Sequence, residues 1–124
     1  MIERIKRDLA VVQAAYGEID VDPDLRWFVI RAWALAAGWN RQTTRLLVLL
    51  AGYPLTAPDN FYTGPDLLLA NGADPGSATN IVDLAGQRWR QFSYHMEAGD
   101  WQPEKGHNVQ TFLLGVARRL REAS

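Results

Sequence analysis

From Trp89 to Pro103 the chain reads Trp-Arg-Gln-Phe-Ser-Tyr-His-Met-Glu-Ala-Gly-Asp-Trp-Gln-Pro, a stretch where polar, aromatic and titratable residues crowd together. Extended backbone over residues 89–95 would put Gln91, Ser93 and His95 on one face and Phe92 and Tyr94 on the other. A hydroxyl and an imidazole then sit side by side. In that arrangement Ser93 is a candidate nucleophile and His95 its general base, for acyl transfer or hydrolysis. The chemistry needs the two within hydrogen-bond reach and oxyanion donors aimed at the same point. The competing reading leaves Ser93 idle at the surface and has His95 hydrogen-bonding the Asp100 turn. Gly99-Asp100 forces that turn, Trp101 supplies a large buried anchor, and Pro103 stops the chain from continuing as before. His95, Asp100 and His107 are metal-ligand types, but their spacing matches no compact zinc motif. No metal and no cofactor are expected.

The elements that must hold this stretch can be read from the apolar spacing. Ile2, Ile5, Leu9 and Val12 recur at helical intervals among Glu3, Arg4, Lys6, Arg7 and Asp8, which predicts an amphipathic helix over residues 2–15 ended by Gly17. Glu18 to Val21 can begin a short strand before the Asp-Pro-Asp turn at 22–24. Leu25 to Ala36 predicts a long strand, with Phe28, Ile30, Ala32 and Ala34 on one side and Trp27, Val29, Arg31 and Trp33 on the other. Gly38-Trp39-Asn40 turns the chain into an aliphatic run over 45–51, expected as a central strand covered on both faces. Gly52 to Pro58 is then extended and rigid because of its two prolines. The segment up to Gly86 is rich in Gly, Pro, Asn and Asp, with apolar patches at 65–70 and 81–84, and predicts a long structured loop belonging to the working surface. Asp59, Asn60, Phe61 and Tyr62 are its expected rim. Val109, Phe112, Leu113, Val116 and Leu120 mark a C-terminal helix capped by Asn108.

Composition narrows the function classes. At 124 residues, 48% hydrophobic and 22% charged, the chain is expected to form one globular domain over 1–124. No apolar run approaches the roughly 20 residues of a membrane span, and the first residues lack a signal-peptide core, so no membrane partner and a cytoplasmic location are expected. A net charge of −1 gives no long-range attraction for nucleic acid. Arg118, Arg119 and Arg121 fall in the last turns of the final helix, where they complement its dipole. The chain contains no cysteine, which removes disulfides, thiolate metal sites and thiol nucleophiles.

Tyr53-Pro54 followed by Pro58 resembles the Tyr-Pro-x-x-x-Pro corner of the ubiquitin-conjugating enzyme superfamily. Trp101-x-Pro103 before an amphipathic helix resembles its tryptophan-proline signature. With Trp89, Phe92, Ser93 and His95 leading to Trp101, the chain is similar over nearly its whole length to the prokaryotic ubiquitin-conjugating-like family E, found with ubiquitin-like modification operons. The resemblance implies an α+β fold: an N-terminal helix, an antiparallel meander of about four strands, a long irregular crossover and a C-terminal helix. It implies structural roles for Tyr53, Pro54, Pro58, Trp101 and Pro103. It also implies partners: a ubiquitin-like protein, an activating-enzyme-like protein or a JAB-type protease encoded nearby.

Two departures from the family pattern matter. Active conjugating enzymes carry a cysteine about eight residues ahead of that tryptophan, and counting back from Trp101 lands on Ser93. Their His-Pro-Asn motif is missing, the comparable region reading Leu67-Leu68-Leu69-Ala70-Asn71-Gly72. A neutral serine hydroxyl is a far weaker nucleophile than a partly ionised thiol. The leading expectation is therefore a non-thioester protein that binds and positions its partner, through Tyr62, Asn71, Tyr94, Asp100 and Trp101. The alternatives are an oxyester or hydrolytic enzyme using Ser93 and His95, and a small domain that assembles with unrelated partners.

Overall fold

The computed structural model describes residues 1–124, the side chain of Ala98 excepted. Helix α1 (Ile2–Tyr16) buries Ile5, Leu9 and Val12 on one side, as its spacing requires, and buries Asp8 with them. Gly17, at φ 86°, ends it in a conformation that costs a glycine little. The strands β1 (Ile19–Val21), β2 (Trp27–Ala34), β3 (Thr43–Leu49), β4 (Phe61–Thr63), β5 (Asn80–Leu84) and β6 (Gln87–Phe92) come next, and helix α2 (Val109–Arg121) closes the chain. All strand pairs are antiparallel, in the order β1-β2-β3-β4-β6-β5. This is the α+β arrangement expected from the sequence.

The sheet has six strands where the resemblance implies about four. The difference lies largely in the segment expected to be an irregular crossover. Its apolar patch at 81–84 is strand β5, which forms a hairpin with β6 through Ala85-Gly86, both at positive φ. A two-residue turn of that kind matches the twist of the strands it joins. The remainder, residues 64–79, is held by polar contacts. Arg90, 5% exposed on β6, donates to the carbonyls of Ala78 (2.6 Å) and Pro65 (3.1 Å) and to the Asp74 carboxylate (3.3 Å). Arg119 of α2 donates to the Gly76 carbonyl, and Trp39 bridges to Leu69.

Strand β2 departs from simple alternation. Ile30 pairs with Leu46 and Trp33 with Thr44, so β2 carries one more residue than β3 between the two pairs. That bulge reverses the facing of the strand beyond it. Trp33, expected beside Val29 and Trp27, instead joins Phe28 and Ile30 in the main core and stacks on Tyr16 of α1 at 5.0 Å.

The main core lies between the helices and one sheet face. There Phe28, Ile30, Leu46, Val48, Phe61 and Phe92 meet Leu9, Val12, Phe112, Leu113 and Val116. The other face has its own cluster of Val29, Leu47, Tyr62 and Trp89, flanked by Trp27, Leu49, Val82 and Leu84. Strand β3 is thus buried on both faces, as its aliphatic run predicts. Helix α2 begins with a capping box, Asn108 Oδ1 accepting from Thr111 N and Thr111 Oγ1 from Asn108 N. No helix is long and apolar enough to cross a membrane.

Candidate functional site: the groove between the Tyr-Pro corner and the Trp101 turn

The corner after β3 and the turn before α2 are joined by hydrogen bonds. Trp101 Nε1 donates to the Pro54 carbonyl at 2.9 Å, and its ring lies 6.0 Å from that of Tyr53. The Tyr53 hydroxyl donates to Asp8 Oδ2 of α1 (2.6 Å) and accepts from Val109 N at the start of α2 (2.9 Å). Arg4, which also pairs with Asp8, donates to the carbonyls of His107 and Pro103. Gln102 N donates to Nδ1 of His107, closing the turn. One phenol therefore ties both helices to the corner that Trp101 covers.

Tyr53→Phe deletes the donor to a buried carboxylate and the acceptor for a helix N–H. A loss of about 2 kcal/mol in denaturant unfolding is expected. Burial, reinforced by the Asp8 hydrogen bond and charge, pushes the Tyr53 phenol well above its ordinary pKa. A raised pKa means that the fold favours the neutral phenol. Its contribution is complete below the unfolded value of roughly 10 and is lost as pH rises through the folded one. Stability should fall on the alkaline side above about pH 10, and Tyr53→Phe should flatten that limb. A variant equal to the parent in urea and in alkali would remove the phenol from this role.

Against this frame lies a groove of about 280 Å³. Leu55, Thr56, Ala57, Pro58 and Asp59 form one wall, and His95, Met96 and Trp101 the other. Leu55 is 70% exposed at its rim, a large apolar side chain kept in water. The polar groups of the groove are the Asp59 carboxylate, the Thr56 hydroxyl and the His95 imidazole. Such a surface suits an apolar side chain of a partner flanked by polar contacts.

Strand β6 ends at Phe92, which stacks on Phe61 at 4.8 Å. Tyr94 turns inward to Phe61 and Phe112, with its hydroxyl over Gly115, where any Cβ would collide with it. Asn60 pairs with Tyr94 in both directions, Asn60 N to Tyr94 O and Tyr94 N to Asn60 Oδ1. Ser93 and His95 point outward and are exposed. The Ser93 amide donates to the Ser77 carbonyl, but neither side chain hydrogen-bonds the other or any further group among the described residues. His95 faces the groove wall formed by residues 55–59, and Ser93 is not among the lining residues.

Of the five residues expected to contact a partner, the structure brings only Trp101 into the groove. Asp100 is exposed in the 3-10 turn just before it. Tyr94 is half-buried beneath the groove-side segment. Tyr62 is buried in the cluster on the opposite sheet face, where burial raises its phenol pKa. Asn71 sits in a distant turn, its Oδ1 accepting from Ala73 N. Tyr53, Pro54, Pro58, Trp101 and Pro103 all belong to the corner and the turn. Among the described residues, no three His, Asp or Glu side chains gather as a metal site. Leu55 and Met96 carry no motif that marks them in the sequence. The usable signal for Leu55 is an apolar residue set directly after a Tyr-Pro corner, where its neighbours cannot fold over it.

Comparison with known families places this architecture. The model of the prokaryotic E2 family E matches residues 3–123. The chain belongs to that family. The match runs from the first turn of α1 past the end of α2, so all six strands, α2, the groove and all but the first residue of α1 fall inside it. Among curated proteins, the chain is similar to the ribosomal RNA large subunit methyltransferase H of Zymomonas mobilis, 40% identical over 50 residues. Those residues are 40% of this chain and 34% of that protein, so the chain spans about a third of that relative's length. No solved structure matches.

Proposed function

We propose that this chain is a non-thioester member of its family, one that binds a ubiquitin-like protein or an activating-enzyme partner and positions it within a prokaryotic ubiquitin-like modification system. The observation that carries this reading is the cysteine count of zero in a chain that otherwise keeps the corner, the Trp-x-Pro turn and the helix after it. A thioester relay requires a thiolate. At the place eight residues ahead of Trp101 stands Ser93, exposed and without a base on its hydroxyl. The groove supports the binding half of the proposal. A partner side chain laid over Leu55 would remove apolar surface from water, worth up to about 1.5–3 kcal/mol for a fully covered leucine.

The test uses the full chain with the ubiquitin-like protein and activating enzyme encoded beside it, plus ATP. Intact-mass spectrometry reads covalent transfer and a pull-down reads binding. The proposal expects no adduct, retained binding, and binding about tenfold weaker for Leu55→Glu, the equivalent of about 1.4 kcal/mol. An adduct that mild base cleaves and that Ser93→Ala abolishes would overturn it in favour of oxyester transfer. Failure to bind either protein would overturn it as well.

A further inference from the structure

The sheet face turned away from the helices holds a second cavity, of about 470 Å³. Small-molecule sites commonly run from roughly 300 to 1,000 Å³. Buried Val29 and Trp89 lie at its base, with Trp27 and the Ala85–Gln87 turn of the β5-β6 hairpin beside them. Arg31 and Arg45 complete the lining together with Asp20. The lining is mainly apolar and carries two guanidinium groups, and no helix packs over it.

The two arginines are in different states. Arg31 is engaged, donating to Asp20 at 2.6 Å and to Glu18 at 3.1 Å. Arg45 has no carboxylate partner among the described residues, and its guanidinium carbon stands 4.4 Å from the centroid of the Trp89 ring. Stacking on an indole fixes the guanidinium plane and leaves its N–H edge free, the geometry that receives a carboxylate on two parallel bonds. The neighbouring acid, Asp20, already faces Arg31 and does not compete. The backbone excludes one class of occupant. Strands β2, β3 and β6 each have partners on both sides, so an extended peptide lying here would find no free strand edge to pair with.

We infer that this cavity binds a small carboxylic acid with an apolar body, its hydrocarbon against Trp27, Val29 and Trp89 and its carboxylate on Arg45. This site is separate from the groove and does not depend on the function proposed for it.

The probe is octanoate, titrated into the full chain and followed by NMR at the indole N–H resonances of Trp27 and Trp89. Its neutral counterpart octanamide is titrated in parallel. Saturable shifts at those two indoles are expected, with octanamide at least tenfold weaker. Arg45→Gln should weaken octanoate at least tenfold and leave octanamide unchanged. Should that variant fail to fold, Gln87→Glu at the exposed rim sets a like charge against the carboxylate and should weaken octanoate several-fold while sparing octanamide. Equal affinity for the two probes would overturn the inference. So would shifts confined to other residues, the absence of saturable binding, or an octanoate affinity indifferent to these substitutions.

Discussion

Arg90→Met should lower the unfolding free energy by about 3–5 kcal/mol, a large share of what a domain of this size possesses. Methionine fills much of the space of the arginine stem, so the cost comes from the polar end. The guanidinium is the donor for the Ala78 and Pro65 carbonyls, and it lies 5% exposed within the sheet. Removing it strands two acceptors in a place where water is scarce, each costing roughly 1–3 kcal/mol. Few apolar anchors compensate: over residues 64–79, Leu67, Pro75 and Ala78 are the buried apolar side chains. Arg90 itself is imperfectly satisfied, since its Nε is buried without a partner among the described residues. Urea unfolding measures the loss. Arg90→Lys keeps the charge but not the fork, and should fall between the two. A loss below about 1 kcal/mol for Arg90→Met would mean that the carbonyls reach water and that the loop is held by other means.

Trp101→Ala should cost a similar amount, about 3–5 kcal/mol, for a different reason. The ring is 9% exposed, sits against Tyr53 and His107, and donates its N–H to Pro54. Truncation removes both the packing and the link between the corner and the turn. Trp101→Phe separates them, since it keeps an aromatic body and gives up the donor, and its expected cost is about 1–2 kcal/mol. Equal losses for the two variants in denaturant unfolding would assign the effect to the hydrogen bond instead of the ring. Because Trp101 is also a wall of the groove, the proposed function expects either variant to weaken partner capture even in the fraction that remains folded.

The legible parts of this protein are those where one short-range rule decides. The helix over residues 2–15, the capping role of Asn108 and the doubly buried run of β3 follow from spacing and residue type alone. The alternation of β2 is readable as far as Ile30 and no further, because a bulge has no signature in the run Ile-Arg-Ala-Trp. Strand β5 escapes because Asn80 to Leu84 is short and half polar. It pairs only because the Ala85-Gly86 turn folds it back on β6, and alanine at positive φ does not announce such a turn. The polar clasp on residues 64–79 is invisible for the same kind of reason. Nothing near Arg90 in sequence says that its partners lie 12 and 25 residues upstream. At the candidate site, the Trp-x-Pro turn is enough to place Trp101 and His95 near each other. It does not separate Tyr62 and Asn71 from them, because that separation depends on which face of the sheet a residue takes and how far a loop travels.

The bulge in β2 also bears on how this chain tolerates insertions and deletions. Losing one residue at Arg31 or Ala32 would restore strict alternation and set Trp33 two places after Ile30, still on the core face with its stack on Tyr16. A single deletion would thus straighten the strand and keep the contact with the end of α1. A paired deletion would instead set Trp33 directly after Ile30, on the face that carries Arg45 and Trp89, which loses the stack on Tyr16 and crowds the second cavity. Length changes in this strand are therefore bound by parity, a constraint that the loops elsewhere in the chain do not share.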